Sequence, residues 1–240
     1  MISKKRFSIE KLEKQVLKQR NFLDDLLLNN GFQEINKNWK KYIVSMFFID
    51  ILKITEDLIL LLKNGSGYTD SVATRLLVER YIYCKYILKA KNQNRFNNWM
   101  LKNYKKERVM ICSILGSINN KKIEEEKKFL NKIELSKYIK FLDKEIEVVN
   151  KKLVKSEAFN FLDMIADLDI KRKDKLNHYL YYVVYPFLSS DVHGSVRSME
   201  SHFIKKEHEL ILSAKKDKPE LLVTALYINK EIFKVVKKAF

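Results

Sequence analysis

Five glycines and two prolines in 240 residues leave this chain few places to turn. A protein built of sheets reverses direction about every ten residues and places Gly, Pro and Asn at those reversals. A chain with so few of them is expected to run in long helices, packed as a single antiparallel bundle of about seven helices over residues 1–240, all-α throughout. The apolar content of 46% is enough for a folded core.

The apolar spacing locates the helices. Ile9, Leu12, Val16, Phe22, Leu23, Leu26 and Leu27 predict a helix from about Phe7 to Leu28, ended by Asn29-Asn30-Gly31. Further helices are expected over residues 34–63, 70–91 and 95–115, with Gly65-Ser66-Gly67 and Gly116 to Asn120 as breakers. Residues 121–154 read as one long charged helix whose narrow seam includes Leu130, Ile139, Leu142 and Val149. A short helix at 157–167, a very apolar one at 171–190 and a last one beginning near Pro219 complete the prediction.

The most hydrophobic run, Tyr42 to Leu62, carries Asp50, Lys53, Glu56 and Asp57. In a bilayer those side chains would cost several kcal/mol, so a core helix is expected and a membrane span is not. The first six residues are basic but lead into a charged amphipathic helix, without the apolar stretch of a secretory signal. Two cysteines in helical apolar patterns, Cys84 and Cys112, suit free thiols in a reducing compartment, so a cytoplasmic location is expected.

The net charge is +17, with 39 of the 47 basic residues lysine. Residues 65–118 are the most one-sided, with ten basic and three acidic groups. RNA or another polyanion is the partner this favours, alongside a protein partner or a second copy of the chain. Such a surface is also what a lysine-rich composition produces with no partner at all.

Chemistry-bearing motifs are sparse. There is no phosphate-binding glycine loop, no zinc-spaced cysteine pair, no H-E-x-x-H and no nucleophile elbow, so neither a metal nor a cofactor is expected. Two constellations stand out. Arg75 and Glu79 lie one helical turn apart, and a carboxylate beside Val72, Leu76, Tyr83 and Tyr86 needs a cation or donors to meet it. With arginine so scarce, its use there implies that the planar fork matters, either as a structural ion pair or as a clamp for an anionic ligand. The second constellation is a polar stripe, His178, Tyr182, Tyr185, Ser189 and His193, at helical spacing, with Arg197 four residues further on. Pro186 predicts a kink within it. As a site, His193 would serve as acid–base or phosphate donor, Arg197 and Arg75 as anion clamps, and Tyr182, Tyr185 and Ser189 as positioning groups. As a core feature, the same residues would simply bond one another.

Two stretches carry a family resemblance. Thr74-Arg75-Leu76-Leu77-Val78-Glu79-Arg80-Tyr81-Ile82, followed by Tyr86, resembles the R-x-L-x-E helix of DUF5677, a family of prokaryotic helical proteins. Tyr185-Pro186-Phe187-Leu188-Ser189-Ser190-Asp191-Val192-His193-Gly194 is similar to that family's second signature, Y-x-x-L-S-x-x-V-H-G, with Pro186 as a departure. The resemblance covers about residues 40–200. It implies a helical fold with Arg75, Glu79, Tyr185, Ser189 and His193 as marked positions, and implies no particular reaction. A looser resemblance is to HEPN helical ribonucleases, whose mark is an Arg followed four to six residues later by His. Arg172 and His178 have that spacing, with Lys173 in place of the usual polar residue. It implies metal-independent RNA cleavage, with His178 moving the proton and Arg172 stabilising the phosphorane.

Two functions are therefore expected to compete. One is an accessory or regulatory module of a prokaryotic stress- or phage-defence system. The other is a HEPN-like ribonuclease acting as a toxin or abortive-infection effector.

Overall fold

A computed structural model describes residues 8–64, 69–119, 132–155, 161–169, 176–186, 188, 203–206, 209–212 and 219–240. The fold is all-α. Its helices are α1 (Ile9–Lys37), α2 (Trp39–Asn64), α3 (Thr69–Lys89), α4 (Asn94–Asn119), α5 (Lys132–Lys152), α6 (Phe161–Asp169), α7 (Leu176–Tyr179) and α8 (Pro219–Ala239). A π-helical turn, Leu180–Val184, extends α7. The chain forms two compact units, Met1–Lys89 with Leu162–Phe240, and Ala90–Phe161.

In the larger unit, α1, α2, α3 and α8 pack on one another. The Ser8 hydroxyl caps α1 by accepting from the Lys11 N–H at 3.2 Å. The predicted stop at Asn29-Asn30-Gly31 does not occur, and α1 runs on to Lys37. One glycine costs a helix only about 1 kcal/mol, too little by itself to end it. The break comes at Asn38, whose Oδ1 accepts from the Lys40 N–H at 3.0 Å and so opens α2. Glu13–Lys63 and Arg20–Glu56 ion pairs align α1 and α2 antiparallel.

Leu12, Phe47, Phe48, Ile51, Leu58, Leu77, Tyr81, Ile82, Ile228 and Ile232 are sealed inside. Each large side chain buried this way stabilises the fold by about 1.5–3 kcal/mol before entropy is subtracted. Phe233 of α8 meets Phe22 edge-on at 5.3 Å and stacks on Phe48 at 6.1 Å, joining three helices. A polar seam crosses this core. Asn229 Nδ2 donates to the Thr55 hydroxyl at 2.9 Å, and Gln19 Nε2 donates to the Asn229 carbonyl at 2.7 Å. All three residues are fully buried.

Between α3 and α6, Lys89 reaches Asp167 at 3.2 Å. A two-stranded antiparallel hairpin, Phe203–Lys206 with Glu209–Leu212, pairs Phe203 with Leu212 and Ile204 with Ile211. Helical periodicity contained no sign of it, although Phe-Ile and Leu-Ile-Leu runs are good strand formers.

The smaller unit is the antiparallel pair α4–α5. Asn94 and Asn98 both donate to the Lys155 carbonyl, at 3.0 and 2.9 Å, while Asn94 Oδ1 accepts from the N–H groups of Val154 and Lys155. Asn97 donates to the Lys152 carbonyl at 3.3 Å. The last carbonyl of α5 and the backbone just beyond it thereby gain the partners that a helix end lacks. Helix α4 passes Gly116 and ends at Asn119. Of the long charged helix expected over 121–154, residues 132–152 form α5 and 120–131 lie outside the described residues.

Candidate functional site

Helix α3 gives its sealed face to the core through Leu77, Val78, Tyr81 and Ile82. Arg75 and Glu79 sit one turn apart at the edge of that face, each side chain about one-fifth exposed (21%). Arg75 Nε donates to Glu79 Oε1 at 3.1 Å. The third member comes from 106 residues further along the chain: the Tyr185 hydroxyl donates to the same Oε1 at 2.9 Å and accepts from Arg75 Nη2 at 2.9 Å. The guanidinium carbon also lies 4.8 Å from the Tyr185 ring centre, within cation–π range. One tyrosine thus engages the arginine through both its hydroxyl and its π face.

Pro186 is the local cause of this placement. It has no N–H to offer the Tyr182 carbonyl, so the α-helical ladder fails there. Just before the proline the chain makes a π turn, and the Tyr185 N–H reaches back five residues to the Leu180 carbonyl. Each extra residue in a turn rotates the side chains beyond it by about 100° relative to an uninterrupted α-helix.

The ionisation of the cluster is set by these contacts. Burial pushes the Tyr185 phenol up, and its bond to Glu79 pushes it further, with Arg75 opposing. Burial works to lower the Arg75 pKa, but the bonds to Tyr185 and Glu79 outweigh it and the pKa is raised. Neither group exchanges a proton near neutrality. Tyr83, one turn past Glu79, is also raised, first by burial and then by the Glu79 charge.

Three members of the predicted polar stripe, His178, Tyr182 and Tyr185, are among the described residues. His178 stacks on Tyr182 with ring centres 5.6 Å apart, and Tyr182 is 57% exposed. Tyr185 turns instead to α3. Arg172, Ser189, His193 and Arg197 lie outside the described residues. Among the described residues no group of three or more His, Cys, Asp or Glu could hold a metal ion, and no helix is long and apolar enough to cross a membrane. Cys84 is buried and Cys112 half-buried, both as free thiols.

Sequence reasoning missed the Gln19–Asn229–Thr55 seam and the cross-helix pairs Arg80–Asp50 and Arg108–Asp143. The scarcity of arginine could have found the pairs, since Arg20, Arg75, Arg80 and Arg108 each meet a carboxylate. A lone Gln or Asn within an apolar helix leaves no comparable signal.

No curated protein and no solved structure matches the chain. A family model does, over residues 41–210, and its description is "Family of unknown function (DUF5677)". That match takes in both signature stretches and more than half of the sequence, so the chain belongs to the DUF5677 family.

Proposed function

We propose that this protein is a non-catalytic regulatory module of a prokaryotic stress- or phage-defence system, working in the cytoplasm. In this reading the Arg75–Glu79–Tyr185 cluster is an anion-responsive clasp, and the basic surface engages an anionic macromolecular partner. The observation that carries it is the sharing of one guanidinium between Glu79 and Tyr185 at a partly open position. A phosphate or carboxylate presents the same paired oxygens as Glu79 and competes for the same fork. Tyr185, tied to both α3 residues, would then transmit the exchange to the π turn. The raised Tyr185 and Arg75 favour a binding role over proton transfer at neutral pH.

The test is thermal unfolding of the full chain in inorganic phosphate against chloride at equal ionic strength. Phosphate is expected to raise Tm for the parent and to lose that effect in Arg75→Gln. An equal shift in both would place phosphate elsewhere and overturn the clasp.

A second reading, a metal-independent ribonuclease of HEPN type acting as an abortive-infection effector, draws on the half-exposed His178 stacked on Tyr182. It requires RNA to be cut in EDTA and the cutting to disappear in His178→Ala or His193→Ala. Intact RNA under those conditions removes it.

A further inference from the structure

The Ala90–Phe161 unit carries 17 basic and nine acidic residues, a net +8, against 30 and 21 in the rest of the chain. Nearly half of the total +17 therefore sits on under a third of the residues. On α5 the run Lys137-Tyr138-Ile139-Lys140-Phe141-Leu142-Asp143-Lys144 alternates cations with rings. Leu142 is fully buried, on the side of α5 away from Lys137, Lys140 and Lys144, and all three lysines are exposed. Neighbours three or four positions apart on such a face stand about 5–6 Å from each other at Cβ.

The rings on this face are unusually open. Phe141 is 49% exposed and Tyr138 37%, and they stack with centres 5.8 Å apart at 17°. An exposed pair of this kind normally loses side-chain freedom for little return. Here it is also braced, because the Tyr138 hydroxyl donates to Glu107 of α4 at 2.7 Å. Two nearby carboxylates are engaged by other cations, Asp143 by Arg108 and Glu147 by Lys151, while Glu107 is held by the Tyr138 hydroxyl. Among the described residues, Lys137, Lys140 and Lys144 form no ion pair.

We infer that the Tyr138–Phe141 stack and the three lysines around it form a binding surface for single-stranded nucleic acid, the rings stacking on unpaired bases and the lysines meeting phosphates. This gives the anionic partner of the preceding reading a chemical class, and it does not depend on the Arg75 clasp. Three neighbouring cations call for a polyanion. The open ring faces select among polyanions. A duplex keeps its bases stacked on one another, an acidic peptide offers no planar groups, and an anionic membrane calls for a broader apolar face than two rings supply.

The experiment is fluorescence anisotropy of the full chain with labelled oligo-U, oligo-dT and a duplex of equal length, across a salt series. Vesicles containing phosphatidylserine are run beside them. Single strands are expected to bind more tightly than the duplex. Phe141→Ala should weaken that binding about five-fold or more, in line with the loss of one base stack. Lys137→Gln/Lys140→Gln/Lys144→Gln should reduce the slope of log K against log salt by about 2, the single-strand value for three phosphates. Circular dichroism and Tm must match the parent in each variant. As a second probe, Phe141→Trp should restore binding and be quenched by oligo-dT. No binding at low salt, equal duplex affinity with no effect of Phe141→Ala, or binding to vesicles alone would each overturn the inference. Arg75→Gln should bind oligonucleotide like the parent, so failure of the clasp and failure of this surface are read separately.

Discussion

Tyr185 donates its hydroxyl to Glu79 at 2.9 Å while its ring underlies Arg75, so a residue distant in sequence ties the π turn to α3. Tyr185→Phe removes both hydroxyl bonds and leaves the ring in place. A loss of about 1–2 kcal/mol is expected, since hydrogen bonds to charged groups exceed neutral ones but this site is partly open. In a chain of this size that lowers Tm by about 2–8 °C. A double-mutant cycle with Glu79→Met should give a coupling of about 0.5–1.5 kcal/mol by chemical denaturation. Strictly additive losses would mean that the two groups do not act together.

Pro186→Ala returns the missing N–H and lets the ladder close in α-helical register. Far-UV circular dichroism should then show slightly more helix. Tyr185 should rotate away from Arg75, so that Tyr185→Phe costs nothing further in the Pro186→Ala background. If the full cost persists there, something other than the proline sets the π turn.

Tyr185 also predicts a pH dependence. Its folded pKa is raised above the ordinary phenol value, chiefly by burial and then by Glu79. The stability linked to it is complete below the unfolded value of about 10 and is lost as pH rises through the higher folded value. Tyr83 and Tyr138 are raised too and add in the same direction. Urea midpoints measured from pH about 8 to about 11 should therefore fall at the alkaline end, and fall less steeply in Tyr185→Phe. A flat profile would contradict the assigned contacts.

The two thiols should differ in reactivity. Burial pushes the Cys84 thiol well above its usual value, whereas Cys112 is half-buried with the Arg108 guanidinium 3.8 Å from its sulfur. Ellman's reagent should titrate one thiol per native chain, lost in Cys112→Ser, and two after unfolding. Equal rates for both in the native protein would contradict the packing around Cys84.

The helices were legible because their signals are local and repeated. Scarce turn residues excluded a sheet protein, and apolar spacing placed α2, α3 and α8 within a few residues. Ends were less legible, because whether a helix stops at Gly31 or Asn38 depends on which residue captures the free N–H groups. For the site, Arg75 and Glu79 were readable from their spacing on an apolar helix. That Tyr185 joins them while Tyr182 faces water was not, since extending a 3.6-residue repeat past Pro186 cannot anticipate a turn with five-residue bonds. The Gln19–Asn229–Thr55 seam was invisible for another reason: its members come from three helices and are matched only in space.

The asparagines that hold Lys155 beside the start of α4 have an evolutionary corollary. They fix the separation of residues 94 and 155 locally, whatever length of chain lies in between. Relatives can therefore lengthen or trim α4 and α5 at their distal tips, changing the reach of the lysine-bearing surface while its anchorage stays the same.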